Sequence, residues 1–221
     1  DELSPLVRVS CLSVPETVAG RCAEDLLGHG LHCEYLDGLP FAMSRAVRFV
    51  DPDADLQTVA VLDWGHSRPL LTILRNGVPA FSRVLRTCGT QHIEDVLQSA
   101  LEVTPAEAAR LLSLAPADGS ASDSRLSDVL KRLVSPQIDR MVSQVQRTIT
   151  FLAQEHPDLV PARLWLLGGG ATISGIHTYL AERLELETNV WALPQWQLAP
   201  SLRELRQQPL FATAVGLSIP V

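Results

Sequence analysis

Three consecutive glycines, Gly168 to Gly170, form the stretch of the sequence best suited to hold a ligand. An apolar run over residues 164–167 predicts a buried strand before them, and apolar residues at helical spacing follow them. Glycine has no Cβ, so bare backbone in a strand–glycine–helix segment can come close to a phosphate or a nucleoside. The segment also fits a tight left-handed turn that only joins a strand to a helix. It matches neither G-x-G-x-x-G nor a P-loop, and the turn alone leaves both interpretations open.

A second polar corner follows an earlier buried strand. Residues 58–62 are apolar and β-branched, and they end at the corner of residues 63–67, Asp-Trp-Gly-His-Ser. An aspartate at the end of a buried strand can orient a metal-bound water, and the amides of the next turn can face phosphate oxygens. Taken locally, the pattern favours an Asx turn in which Asp63 bonds its own corner. His66 and His92 are candidate general bases nearby, although surface and capping roles are commoner for such histidines.

The composition excludes several classes of protein. The chain has 221 residues, 46% of them hydrophobic and 19% charged, which is typical of a globular protein with one large or two modest domains. A net charge of −7, with a single lysine at position 131, argues against a nucleic-acid surface. No run of about 18 apolar residues is present that could cross a membrane. The four cysteines and six histidines have no metal-ligand spacing.

The first fifty residues predict a small βαβα unit. Strands are expected at residues 6–12 and 32–36, and helices at residues 15–27 and 41–49. The acidic stretch at residues 51–55 lacks the rest of a calcium loop and is interpreted as a solvated linker. Because the sequence starts without methionine and enters a strand almost at once, we expect it to be a piece of a longer protein.

The middle of the chain predicts a β-meander followed by helices. An Asn76-Gly77 hairpin turn separates the second and third of its strands, and Thr104 and Glu107 form a capping box. Strands are expected at residues 58–62, 70–74 and 79–85, helices at 93–101, 105–114 and 126–152, and a loop at 115–124. Pro136 is expected to kink or split the long helix.

The last third of the chain predicts two further strands and three helical segments. The strands are expected at residues 164–167 and 187–191. A helix should follow the glycine turn up to Leu184, a helical turn should cover residues 202–206, and a terminal helix rich in small residues should begin at Pro209. Small residues suit a helix that packs closely on a sheet.

Taken in order, these motifs resemble the actin-like ATPase superfamily, and within it the PilM family of type IV pilus assembly proteins, also called competence protein A. The resemblance is carried by residues 59–74, 76–89, 104–109, 166–175 and 212–217. It implies an α/β, ribonuclease H-like fold, with a mixed sheet flanked by helices and the first lobe largely missing. Residues 1–50 would be the tail of a small βα subdomain, and residues 51–221 a second lobe with a helical insertion at about 88–125 and a terminal helix.

The resemblance also implies roles for particular residues. The second phosphate loop would contain Asp63, Gly65, His66 and Ser67, with Asp63 holding Mg²⁺ through water. Gly168, Gly169 and Gly170 would lie beside the adenosine of ATP. The helical insertion that flanks the base and ribose would contribute Glu107, together with Thr90, Gln91 and Glu94.

Departures from the family pattern predict weak or absent nucleotide binding. The family's first phosphate loop, another Asp-x-Gly corner, does not occur in this sequence. Trp64 and residues 66–69 replace small and hydroxyl residues of the second loop, and Trp64 is expected to crowd the phosphates. Pro69 removes a backbone donor, and Leu112 stands where relatives often have a lysine.

The function implied by the resemblance is a non-enzymatic scaffold of the type IV pilus or a related secretion machinery. Such a protein would be cytoplasmic and would lie at the inner membrane by binding the cytoplasmic tail of a membrane protein, without inserting itself. Self-association is a further expectation, ATP and Mg²⁺ are the implied cofactors, and no nucleic acid is expected as a partner.

Two other functions remain open from the sequence. The first is an active Mg-ATP-dependent ATPase or kinase of the same superfamily. The second is an unrelated Rossmann-like domain, although the glycines come late in the chain for that fold. A catalytic triad is not supported because Ser174 lacks a G-x-S-x-G elbow, and no catalytic residue is assigned.

Overall fold

The computed structural model describes residues 13–114, 125–194 and 208–219. The chain folds as two units, Asp1–Leu39 and Pro40–Val221. The strand expected at residues 6–12, the loop at 115–124 and the helical turn at 202–206 lie outside the described residues.

The regular element described in the first unit is helix α1 (Glu16–Gly28). It starts directly after Pro15, as predicted, and none of its residues is buried. Residues 32–36 are described without regular structure, so the strand predicted there is wrong. A strand needs a neighbour to take up its backbone hydrogen bonds, and the described residues of this unit offer none.

Five strands form the sheet of the second unit, in the order β3-β2-β1-β4-β5. They are β1 (Thr58–Asp63), β2 (Leu70–Arg75), β3 (Val78–Val84), β4 (Arg163–Leu167) and β5 (Glu187–Val190). The first three pair antiparallel, whereas β4 lies parallel to both β1 and β5. The predicted meander is confirmed, and Asn76 and Gly77 both adopt positive φ, 52° and 70°, as a two-residue Asn-Gly turn requires.

Helices cover both faces of this sheet. They are α2 (Leu39–Val50), α3 (Thr90–Leu101), α4 (Pro105–Leu114), α5 (Arg125–Glu155), α6 (Ile176–Leu184) and α7 (Ala212–Ser218). Ala60 and Leu62 of β1 face the layer of α3 to α6, while Val59 and Val61 face α2 and α7. Because alternate residues of a strand point to opposite faces, a continuous apolar strand is buried on both sides. The expected mixed sheet flanked by helices is confirmed.

Helix α2 packs on the sheet, through Met43, Ala46 and Val47. The boundary expected after residue 50 therefore differs by one helix from the observed division after Leu39.

The acidic stretch at residues 51–55 is not a solvated linker. It forms a short 3₁₀ turn (Pro52–Leu56), and Asp51 accepts a hydrogen bond of 2.8 Å from Arg163, with both side chains less than a fifth exposed.

The long helix α5 runs through Pro136 as one element of 31 residues, so it is not split. Pro136 is exposed, whereas Val134 and Ile138 on either side of it are buried in the core. Core packing of both halves therefore outweighs the hydrogen bond that proline removes. In the described ranges, no helix is long and apolar enough to cross a membrane.

Candidate functional site

The two chemically promising corners of the sequence lie side by side at one edge of the sheet. Strands β1 and β4 are parallel neighbours, and Asp63 at the end of β1 pairs with Leu167 at the end of β4. The segments that follow these strands, residues 64–69 and 168–175, therefore leave the sheet at the same edge. Ligands of open α/β sheets bind at this carboxyl edge.

The three glycines of the turn have different surroundings. Gly168 has φ +79°, and a Cβ there would overlap Asp63 Oδ1 and lie 2.9 Å from the Trp64 carbonyl oxygen. A Cβ on Gly170 would lie 2.7 Å from Trp64 Cε3 and closer still to two other ring atoms. Only at Gly169 is there room, because the nearest atom is Leu210 Cδ2 at 3.6 Å. Internal packing thus explains Gly168 and Gly170, whereas a Cβ at Gly169 would make only an ordinary van der Waals contact with Leu210.

Trp64 lies beneath the glycine turn and is fully buried. Its backbone N–H donates to Leu167 O and its carbonyl accepts from Gly170 N–H, both at 2.9 Å. The indole Nε1–H donates to Cys88 O at 2.8 Å. The expectation that Trp64 crowds the phosphates is therefore wrong, because the ring packs into the core instead of pointing out of the loop.

Asp63 is partly buried at the floor of the site. Desolvation raises the pKa of its carboxyl above the usual value, and a hydrogen bond with the Thr213 side chain opposes that shift in part. Thr213 belongs to α7, so the terminal helix reaches the end of β1. A carboxylate in this position can attract a hydrated cation. Ionising it costs free energy, because the charge is partly removed from bulk water.

The corner after β1 rests on the start of α3. Gly65 O and His66 O accept the backbone N–H groups of Thr90 and Gln91, at 3.2 and 3.0 Å. Two of the first amide donors of α3 are therefore used inside the protein. Among the residues that the structure describes, none has an atom within 4 Å of the position of a Cβ on Gly65. His66 and Ser67 are exposed on the outer side of this corner.

A histidine–carboxylate pair stands at the same corner. His66 Nδ1 lies 3.6 Å from Glu94 Oε1, which is too long for a hydrogen bond but close enough for electrostatic attraction when the imidazole is protonated. The Glu94 side chain is 17% exposed and that of His66 is 65% exposed. The imidazole therefore faces solvent at the rim of the site.

Glu107 lies in the first turn of α4, where it completes the predicted capping box. Its Oε2 accepts from the Thr104 N–H at 2.8 Å, and the Glu107 N–H donates to Thr104 Oγ1 at 3.4 Å. These hydrogen bonds lower the pKa of the Glu107 carboxyl. Whereas Asp63, the corner after it and the glycine turn adjoin one another, the Glu107 carboxylate is engaged in capping its own helix.

The terminal segment adds site residues that sequence reasoning missed. Gly168 N–H donates to Pro209 O at 2.9 Å, Leu210 Cδ2 lies 3.6 Å from where a Cβ on Gly169 would stand, and the Thr213 side chain hydrogen-bonds Asp63. Some forty residues separate this segment from the turn, so no local pattern connects the two. The only signal was the run of small residues in α7, which predicted close packing on the sheet.

The residues at this edge fit a magnesium nucleotide, the cofactor that the fold implies. Gly65 leaves room for close backbone approach, and Asp63 provides an oxygen ligand of the kind Mg²⁺ accepts. Across the described residues, no group of three or more His, Cys, Asp or Glu side chains is arranged to hold a metal ion. Mg²⁺ here would depend on phosphate oxygens and water together with Asp63, as is common for nucleotide-bound Mg²⁺.

The chain is similar to type IV pilus assembly proteins in both sequence and structure. A family model described as "Type IV pilus assembly protein PilM" matches residues 23–220. No curated protein sequence matches the chain. A solved "PilM-PilN type IV pilus biogenesis complex" is 25% identical, with a TM-score of 0.69 over 91% of this chain and 56% of that one.

Two further solved structures share the fold. The ethanolamine utilization protein EutJ from Carboxydothermus hydrogenoformans is 20% identical, with a TM-score of 0.63 over 90% of this chain and 59% of that one. MreB5 of Spiroplasma citri, solved bound to ADP, is 14% identical, with a TM-score of 0.67 over 92% of this chain and 64% of that one. The chain thus spans less than two thirds of the length of each of these proteins.

Proposed function

Because the chain belongs to the PilM family of type IV pilus assembly proteins, we propose that it works as a non-enzymatic scaffold that binds the cytoplasmic tail of a membrane partner. The family match over residues 23–220 is the observation that carries this proposal. The protein would act in the cytoplasm, at the inner membrane, through that partner. Self-association between copies is part of the proposal for the full-length protein.

The partner is proposed by analogy with the structural neighbour at 25% identity, which was solved in a complex with PilN. That neighbour is longer than the chain, which covers 56% of it. The neighbour's partner therefore has protein surface to bind that this chain does not include. For this reason the experiment uses the full-length protein.

We further propose that ATP binding is weak. On the nucleoside side, adenosine would lie beside the turn, where Gly168 and Gly170 shape the backbone and Gly169, next to Leu210, is the glycine whose Cβ would meet no clash. On the phosphate side, Asp63 would hold Mg²⁺ through water, next to the corner of Gly65, His66 and Ser67. The burial that raises the Asp63 pKa disfavours the charge that Mg²⁺ needs, and Pro69 has no N–H to offer a phosphate.

Titration calorimetry tests the scaffold function directly. The full-length protein should release or absorb heat when titrated with a peptide that has the cytoplasmic sequence of PilN from the same organism. A scrambled peptide of the same composition is the matched control, because it keeps charge and hydrophobicity but not sequence. Absence of heat with the native peptide, at concentrations up to the millimolar range, would reject the proposal.

The second candidate is an active Mg-ATP-dependent ATPase or kinase. The room at Gly65, together with the acidic Asp63, favours it over functions without a nucleotide. This function predicts that Mg-ATP stabilises the full-length protein by about 2.7 kcal/mol at a concentration of about 100 times Kd. Asp63→Ala should abolish that stabilisation because it removes the metal's protein anchor. A melting temperature unmoved by millimolar Mg-ATP, with no phosphate released, would exclude this candidate.

A further inference from the structure

The Trp64 indole joins two segments that lie far apart in sequence. One side of the ring packs against Gly170 of the glycine turn, so closely that no Cβ fits between them. On its other side, the Nε1–H donates to Cys88 O at 2.8 Å, just before α3 begins. The glycine turn and the start of the helical insertion are thus both in contact with one buried side chain.

Backbone hydrogen bonds repeat this connection. The residue before the turn, Leu167, accepts from Trp64 N–H, and Gly170 N–H donates back to Trp64 O. The residues after Trp64 accept from the first amides of α3, through Gly65 O and His66 O. Trp64 therefore lies at the centre of a continuous set of hydrogen bonds that runs from β4 to α3.

Under the proposed function the glycine turn lies beside the adenosine, and the family resemblance implies that the helical insertion flanks the base and ribose from the other side. We propose that Trp64 is a positioning residue that fixes these two walls of the nucleoside site to each other, so that a nucleoside meets both in one geometry. The inference rests on the proposed nucleotide binding for its ligand, but the connection itself is a property of the protein alone. Trp64 does not touch the ligand; it acts through Gly170 and the start of α3.

A simple core role for Trp64 can be separated from this positioning role, because Trp191 is a close match. Trp191 is also fully buried, and its Nε1–H also donates to a backbone carbonyl, Ala46 O at 2.7 Å. Trp191 lies in the other layer of the core, with α2 and α7. Trp64→Phe and Trp191→Phe therefore remove the same donor from equally buried sites, and only the first removes a hydrogen bond to the segment before α3.

Amide hydrogen exchange measured by NMR on the full-length protein tests the connection without a ligand. In Trp64→Phe, the amides of Gly170, Thr90 and Gln91 should exchange faster together, by about fivefold, as expected for loss of one buried hydrogen bond. In Trp191→Phe those three amides should keep their native rates. Faster exchange on only one side of the junction, or equal effects in both variants, would overturn the proposal.

ADP titration then tests the consequence for binding. ADP should bind Trp64→Phe about fivefold more weakly than the native protein, and inorganic tripolyphosphate should bind both equally, because only the nucleoside walls are changed. ADP affinity that is unchanged in Trp64→Phe would overturn the positioning role. If the native protein binds no ADP, the proposed nucleotide binding fails. The exchange rates then still test whether Trp64 connects the glycine turn to the start of α3.

Trp64→Met, which keeps apolar bulk but removes the ring, serves as a second variant if Trp64→Phe does not fold.

Discussion

At the scale of single residues, the glycine turn illustrates how packing and ligand binding can produce the same sequence. Gly168 avoids the Asp63 carboxylate and adopts a left-handed backbone, and Gly170 avoids the Trp64 ring. Of the three, only Gly169 would accept a Cβ without a clash, in ordinary contact with Leu210. Three glycines in a row therefore do not mean three ligand contacts, and the sequence alone could not distinguish these roles because the neighbours come from distant segments.

Alanine substitutions at the turn should separate folding from binding. Gly170→Ala should destabilise the protein by roughly 1–3 kcal/mol, because its Cβ would be forced against the Trp64 ring. Gly169→Ala should leave the stability nearly unchanged, since its Cβ would meet only Leu210 Cδ2 at 3.6 Å. Urea denaturation of both variants measures the difference. A Gly170→Ala variant as stable as Gly169→Ala would contradict this packing.

The burial of Asp63 predicts a specific pH dependence. A carboxyl whose pKa is raised in the folded state binds its proton more tightly there than in the unfolded state. The protonated Asp63 carboxyl therefore adds to the free energy of unfolding at low pH, and this stabilisation is lost as the pH rises beyond the usual carboxyl range. As the pH rises from about 4 to about 7, the free energy of unfolding should fall less in Asp63→Asn than in the native protein. Parallel pH dependences of the unfolding free energy in both proteins would refute this expectation.

At the scale of elements, the sequence predicted the strands and helices whose patterns are local. The meander, the Asn76-Gly77 turn and the Thr104 capping box all depend on neighbouring residues, and all are confirmed. The strand at residues 32–36 was wrong because strand formation requires a partner that a local pattern cannot provide. Likewise, Pro136 alone suggested a break in α5, whereas core packing on both sides keeps the helix whole.

Replacing Pro136 should stabilise the long helix. Its side chain is exposed, so Pro136→Ala loses little packing and restores a backbone donor within α5. Proline within a helix costs up to about 3 kcal/mol relative to alanine, and we expect a gain of roughly 1–3 kcal/mol. Thermal and chemical denaturation measure it, with Ser135→Ala as the neighbouring control. A variant no more stable than the native protein would mean that α5 already accommodates proline without cost.

The capping box should make the start of α4 sensitive to acid. Hydrogen bonds from Thr104 lower the pKa of Glu107 in the folded state, so its stabilising effect is present above the usual glutamate pKa. That effect should disappear as the pH falls through the lowered value. Amide exchange in α4 should therefore accelerate on acidification more in the native protein than in Glu107→Gln, after correction for intrinsic rates. Identical acid responses would show that the carboxylate does not stabilise this helix end.

At the scale of the whole molecule, the chain belongs to a known family, and its candidate site is assembled from distant parts of the sequence. Residues 63–67, 168–170 and 209–213 come together at one edge of the sheet. The order of motifs, through the family resemblance that it carries, predicted that residues 63–67 and 168–170 belong to one site. The contributions of Pro209, Leu210 and Thr213 could not be predicted, because they depend on how the terminal helix α7 packs against β1 and β4.

The most direct test of the account compares partner binding in the native full-length protein and in its Asp63→Ala variant. Calorimetric titration with the PilN cytoplasmic peptide, with no nucleotide added, measures both affinities under identical conditions. A scaffold that does not depend on ATP turnover should bind the peptide with the same Kd in both proteins. No binding to the native protein, or loss of binding in Asp63→Ala while the fold is retained, would contradict the account.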